Sequence, residues 1–282
     1  MVWVINEEFR GDHWRYKDDR EKIFNYIRLQ IENSLHFNWQ IKDIVLITNF
    51  DFEYMGVKSY ILPRDICKWS AFANKLVAVN EMIKKGVIDD DFWLHDVDAY
   101  QLIPFEFPQE CKDWGYTRHD PNRGKPQGGS GFYRKSAFDI VGSIANLILI
   151  TKTTREEKFL PLFVSPGGSN RTLKLEAAIK NHKIKSGDQY NRLVAEYDIG
   201  KKAYGVYSER FSYLNYCWDF CIVHQFNKKY PQTVQPIKIA HFHPEYIGCY
   251  DCFIMGKNKY NAKISTPYLD ELLYKHKLIV KG

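Results

Sequence analysis

Phe92-Trp93-Leu94-His95-Asp96-Val97-Asp98-Ala99-Tyr100 decides how this chain is read. An apolar run with the character of a buried strand ends abruptly in two carboxylates one residue apart. The turn Asp89-Asp90-Asp91 precedes it and closes a helical segment, so the local order is helix, turn, strand, Asp-x-Asp. Carboxylates at the carboxyl end of a strand stand where α/β sheets bind ligands. Two hard oxygen donors held this close suit Mg²⁺ or Mn²⁺, which keep few protein ligands and take the rest from substrate phosphates. A nucleotide diphosphate is the first substrate class this implies.

The flanking sequence supplies the rest of a sheet. Val2 to Ile5 reads as a first strand, and Ile44 to Thr48 as a short continuous apolar strand of the buried, parallel kind. Asp18 to Leu35 carries Ile23, Tyr26, Ile27, Ile31 and Leu35 at helical spacing. Trp69 to Lys85 carries Phe72, Leu76, Val79 and Ile83, with Gly86 as its stop. Strands alternating with helices predict a βαβαβ half built on a parallel sheet. Beyond residue 100 the pattern changes. Trp114 to Arg118 reads as a strand, Gly124 to Gly131 as a glycine-rich loop, Phe132-Tyr133 as a short strand, and Ser136 to Leu149 as a helix. Asp188 to Tyr197 reads as another helix and Ile237 to His241 as a late apolar strand.

Composition narrows the class. Hydrophobic residues make up 45% of the 282 and aromatics 16%, enough for a packed core and against disorder. No apolar run reaches the roughly 18 residues of a membrane span, and the start has no export signal. A cytoplasmic location is expected, the host cytoplasm if the gene is viral. The cysteines at 67, 111, 217, 221, 249 and 252 then read as reduced thiols. Cys217-x3-Cys221 and Cys249-x2-Cys252 have spacings that zinc would accept, but core packing explains them as well. The net charge of +6 suits an anionic partner such as a nucleotide or nucleic acid.

Further constellations follow in order. Gly128-Gly129-Ser130-Gly131-Phe132 places glycines where backbone approaches something closely or turns. Ser186-Gly187-Asp188-Gln189-Tyr190 sets a carboxylate and an amide at a helix start, where Asp188 is also a natural N-cap. Ile239-Ala240-His241-Phe242-His243 ends a strand in two histidines, and one imidazole joining two aspartates completes a Mn²⁺ donor set.

Asp-x-Asp, Gly-Ser-Gly-Phe, Asp-Gln and strand-His, in that order between Val2 and His243, resemble the nucleotide-sugar glycosyltransferases of the GT-A fold. The pattern is nearest to the glycogenin-like and bacterial galactosyltransferase-like group. The resemblance implies a Rossmann-like, mostly parallel central sheet with mixed strands in the second half and helices on both faces. It implies one domain over 1–282, with a nucleotide-sugar-binding half at 1–100 and an acceptor half at 101–282 that brings the metal-binding His. Asp96, Asp98 and His241 or His243 would hold Mn²⁺ or Mg²⁺. Lys75, Gly129, Ser130 and Gly131 would line the donor, a UDP-sugar with glucose as first choice, and Asp188 and Gln189 would carry catalysis near the sugar. The chain departs from the pattern at Tyr190, which replaces a second Asp after Asp-Gln, and at His243-Pro244, where a Gly and a Lys-Pro-Trp segment usually stand.

A composition rich in Lys, Asn, Ile, Tyr and Phe also resembles accessory glycosyltransferases of tailed phages, some of which glycosylate hydroxymethylated or already glucosylated pyrimidines in double-stranded DNA. Arg118, His119, Arg123, Lys125, Arg134 and Lys135 would then form a phosphate-contacting edge. An extrahelical base would enter near Trp114 and Tyr116. A bacterial surface glycan or glycolipid is the competing acceptor. A metal-dependent nuclease or phosphoesterase, using the same aspartates and histidines, is the reading from another reaction class. A non-catalytic binding protein would tolerate loss of both aspartates.

Overall fold

A computed structural model describes residues 1–5, 20–62, 71–118, 126–143, 145, 209–221, 236–242, 250–258 and 261–279. In chain order its elements are β1 (Val2–Ile5), α1 (Arg20–His36), β2 (Val45–Thr48), β3 (Glu53–Tyr54), β4 (Val57–Ile61), α2 (Ala71–Lys84), β5 (Phe92–His95), β6 (Ala99–Gln101), β7 (Trp114–Arg118), β8 (Pro126–Tyr133), β9 (Phe211–Leu214), β10 (Phe220–Cys221), β11 (Ile239–His241) and α3 (Pro267–Lys275).

The main sheet has eight strands in the order β3-β4-β2-β1-β5-β8-β7-β9. β4, β2, β1 and β5 run parallel. β8 runs antiparallel to both β5 and β7, and β9 joins β7 in parallel. The first half is therefore parallel and the second mixed, as expected. A smaller sheet, β10-β11-β6, holds the chain just past Asp-x-Asp against the late histidine strand.

Side-chain alternation along the strands sorts the helices onto opposite faces. Val45, Ile47, Phe92 and Leu94 join a core with Leu76 and Val79 of α2. Their neighbours Leu46 and Trp93 face the other way, into a core with Ile23, Ile27 and Ile31 of α1. A second stripe of α1, Tyr26 and Leu29, packs with Tyr100, Phe220, Phe242 and the Leu269, Leu272 and Leu273 side of α3. Helix α1 thus bridges the two sheets. Among the described residues no helix is long and apolar enough to cross a membrane.

Three elements differ from expectation. Residues 126–131 are strand, not loop, and pair with β5 on one side and β7 on the other. Glycine is tolerated there because neighbouring rings occupy the space that side chains would fill. A Cβ on Gly131 would lie 2.4 Å from the Tyr116 ring. The hairpin β3–β4 was not foreseen; it turns on Met55 and Gly56, both at positive φ (50° and 82°), the conformation of a tight two-residue hairpin turn. The helix expected over 136–149 begins as a 3-10 turn at Lys135–Ala137 and continues through 143.

Glu32 fastens α1 to its surroundings. Its carboxylate accepts from Tyr54 Oη (2.7 Å), Lys275 Nζ (2.6 Å) and His276 Nε2 (2.9 Å). Burial alone would raise its pKa, but the donors Lys275, Tyr54 and His276 outweigh burial and hold the carboxyl below its ordinary value. A carboxyl lowered on folding stabilises above its unfolded pKa and loses that contribution as pH falls through the folded one. Replacing Glu32 with Gln should destabilise the protein by about 1–3 kcal/mol in neutral-pH denaturant titrations. The difference from the parent should shrink in acid.

Candidate metal centre

Strand β5 is buried along its whole length and delivers Asp96 and Asp98 to its carboxyl end. Phe92 stacks on Tyr133 with ring centroids 4.9 Å apart, and Trp93 stacks on His95 at 3.7 Å. Burial keeps His95 neutral, its pKa lowered to about 3. The backbone then turns sharply. Asp96 N donates to Gly129 O (2.8 Å), and Ala99 N donates back to Asp96 O (3.1 Å). Gln30 of α1, itself buried, donates through Nε2 to Val97 O (2.7 Å) and Ala99 O (2.9 Å), clamping the two carbonyls that flank Asp98.

β11 brings the third candidate ligand. The antiparallel register sets His241 opposite Ala99, and Phe242 N donates to Asp98 O at 3.1 Å. His241 Nε2 consequently lies 3.2 Å from Asp98 Oδ1 and 3.9 Å from Asp96 Oδ2. Donor atoms of Asp96, Asp98 and His241 all fall within 4.8 Å of one another. Around an octahedral ion with bonds of about 2.1 Å, adjacent donors stand about 3 Å apart and opposite donors about 4.2 Å apart. The observed spread fits such an ion, and two carboxylates with one imidazole form a donor set that Mn²⁺ or Mg²⁺ accepts.

Three neighbours complete the centre. The ammonium of Lys75, on α2, is ion-paired with Asp96 Oδ1. Gly129 lies flat against the His241 ring, where a Cβ would meet Nδ1 at 1.9 Å and Cε1 at 2.3 Å. Asp219, fully buried, places Oδ1 3.6 Å from His241 Nδ1. Among the described residues, and taking the carboxylates as ionised, Asp96, Asp98 and Asp219 outnumber Lys75, an excess of negative charge beside the imidazole that a divalent cation would offset. With only a proton available, His241 takes it. Burial opposes the charged ring, but the carboxylates of Asp98 and Asp219 outweigh burial and hold its pKa well above the ordinary histidine value.

Of the residues singled out from sequence, Lys75, Asp96, Asp98, Gly129 and His241 come together. Ser130 and Gly131 lie on β8 but are engaged in packing: Trp93 Nε1 donates to Ser130 Oγ at 2.7 Å, and Gly131 backs the Tyr116 ring. Trp114 and Tyr116 are 0% and 2% exposed and belong to the core under the main sheet, which corrects their expected role as an entry for a flipped base. Arg134 is held by Asp91 (3.0 Å) and by the carbonyls of Cys111 and Pro108, so it fastens loops rather than presenting a bare cation. Arg118 is exposed, its guanidinium 4.3 Å from the centroid of Tyr213. His119, Arg123, Lys125, Asp188, Gln189 and His243 lie outside the described residues. Cys217 and Cys252 are free thiols packed against the smaller-sheet core, and Cys249 lies outside the described residues. Gln30 and Asp219 were missed. Their signals were a polar residue on the apolar stripe of α1 and an aspartate inside the apolar run Trp218-Asp219-Phe220.

No family model and no curated protein matches the chain. Among solved structures it is similar to a glycosyltransferase involved in the glycosylation of the major capsid of PBCV-1, at 13% identity over 86% of this chain and 92% of that one, with a TM-score of 0.42. It is also similar to mouse xyloside xylosyltransferase 1 (10% identity, 86% and 96% covered, TM-score 0.41). A third is the galactosyltransferase LgtC in complex with donor and acceptor sugar analogs (8% identity, 100% and 96% covered, TM-score 0.45).

Two outcomes follow from this geometry. Gly129→Ala should abolish Mn²⁺ binding by displacing the His241 ring, read by calorimetry. A metal must displace the His241 proton, so Mn²⁺ affinity should climb by up to about tenfold per pH unit while His241 is protonated in the metal-free protein. Affinity independent of pH would contradict the assignment of His241 as a ligand.

Proposed function

We propose that this chain is a metal-dependent glycosyltransferase that moves a sugar, glucose as first choice, from a UDP-sugar to an acceptor hydroxyl. The observation that carries the reading is the convergence of Asp96, Asp98 and His241 at the carboxyl end of a central strand, where α/β sheets take nucleotide ligands. A bound Mn²⁺ or Mg²⁺ would neutralise charge developing on the diphosphate leaving group.

The chain's own residues have distinct parts in this reading. Asp98 and His241 are buried and fixed by backbone pairing, so they form the rigid side of the centre. Asp96 keeps 29% of its side chain exposed and meets the incoming substrate side. Lys75, beside it, supplies a positive charge for donor phosphate oxygens. Asp188 and Gln189 are proposed, from motif order, to sit at the sugar, with Asp188 supporting charge at the anomeric carbon or accepting the acceptor proton.

Two acceptor classes follow from the sequence. The DNA reading needed accessible aromatic rings and a bare basic edge, and the burial of Trp114 and Tyr116 and the pairing of Arg134 weaken it. The acceptor we propose first is therefore a hydroxyl of a surface glycan or glycolipid, with hydroxymethylated or glucosylated DNA second.

The test is calorimetric titration of UDP with Mn²⁺ or EDTA, followed by transfer assays on both acceptor classes. UDP should bind only with metal, and Asp98→Ala should weaken that binding by about 100-fold or more, roughly 2.7 kcal/mol. Equal UDP binding in EDTA, or cleavage of DNA without any sugar donor, would overturn the reading, the latter in favour of a nuclease.

A further inference from the structure

Asp219 stands where β10 begins, directly after a 3-10 turn over Tyr216–Trp218 that the side chain of Asn215 caps. Its backbone is pinned on several sides. Asp219 N donates to Tyr216 O (3.3 Å), and Thr117 Oγ1 of β7 donates to Asp219 O (3.4 Å). Two residues on, the parallel register sets Cys221 opposite His241. The carboxylate is 0% exposed and meets the edge of His241 opposite to the one that faces Asp96 and Asp98. Burying a carboxylate is costly unless its charge is used.

Imidazole chemistry supplies one use. A metal takes the lone pair of one ring nitrogen, so the remaining proton must sit on the other nitrogen. Nε2 faces Asp96 and Asp98, which leaves Nδ1–H to face Asp219. Gly129, pressed on the ring where no Cβ would fit, limits its ability to swing away.

We propose that Asp219 is a positioning residue that holds His241 in its Nδ1–H tautomer and so presents the Nε2 lone pair to a divalent cation between Asp96 and Asp98. This rests on the metal reading above. At 3.6 Å the contact is an ion-pair distance and not a hydrogen bond. A metal on Nε2 would favour closing it into one, as in carboxylate–histidine–metal arrangements.

The experiment measures Mn²⁺ affinity of the full chain by titration calorimetry for the parent, Asp98→Ala, Asp219→Asn and Asp219→Ala. A long-range ¹H–¹⁵N spectrum of each metal-free protein, recorded at a pH where the His241 ring is neutral, reads its tautomer. Asp219→Ala should lose about 10- to 100-fold in affinity and lose the single Nδ1–H signature. Asp219→Asn, which keeps an acceptor oxygen, should recover most of both. The alanine variant decides where it folds: parent-like affinity and tautomer there, with a loss in Asp98→Ala, overturn the proposal and leave the metal reading standing. Where it does not fold, Asp219→Leu, close to Asp in size and without an acceptor, is read on the same terms. A parent chain that binds no Mn²⁺ overturns both.

Discussion

The structure turns on one electrostatic constraint: two buried carboxylates, Asp98 and Asp219, share a nearly dry space with an imidazole at the junction of two sheets, and a third, Asp96, stands at its rim. Asp98, Asp219 and His241 are 2%, 0% and 7% exposed. Like charges so placed repel strongly in a medium of low dielectric, and the fold tolerates them only with a matching positive charge. Lys75 supplies part of it, and a proton on His241 or a divalent cation would add to it. The same arrangement is one that would suit a divalent cation.

The architecture explains how those groups are forced together. β5 ends in the aspartates because its apolar residues satisfy two cores at once, and the chain then passes directly into the smaller sheet. There β6 pairs with β11, and a single register, Ala99 opposite His241, brings the histidine to the carboxylates. A one-residue slip would turn the imidazole to the other face. Gln30 on one side and the side-chain-free surface of Gly129 on the other hold that register at the site itself.

The candidate ligands were legible in sequence because each ends an apolar strand, a pattern that survives without knowledge of pairing. The parallel half of the sheet was legible for a related reason, since short continuous apolar runs alternated with helical stripes. What supports the ligands was not legible. Gln30 is only a polar interruption on a helix until α1 is packed over the turn, and Asp219 is one aspartate among many until β10 lies beside β11. The glycines at 128–131 read as a loop because strand-forming side chains were absent; the residues that take their place in space, His241 and Tyr116, lie far away or on another strand. Trp114 and Tyr116 suggested an aromatic surface, yet their alternation within a sheet covered on that face made them core.

The most direct test of the central claim is anomalous diffraction from crystals of the protein grown with Mn²⁺ and UDP. The account predicts one strong manganese peak bonded to Asp96, Asp98 and His241 Nε2, with diphosphate oxygens completing its shell. A peak held by other residues, or UDP bound with no metal between these three side chains, would contradict it.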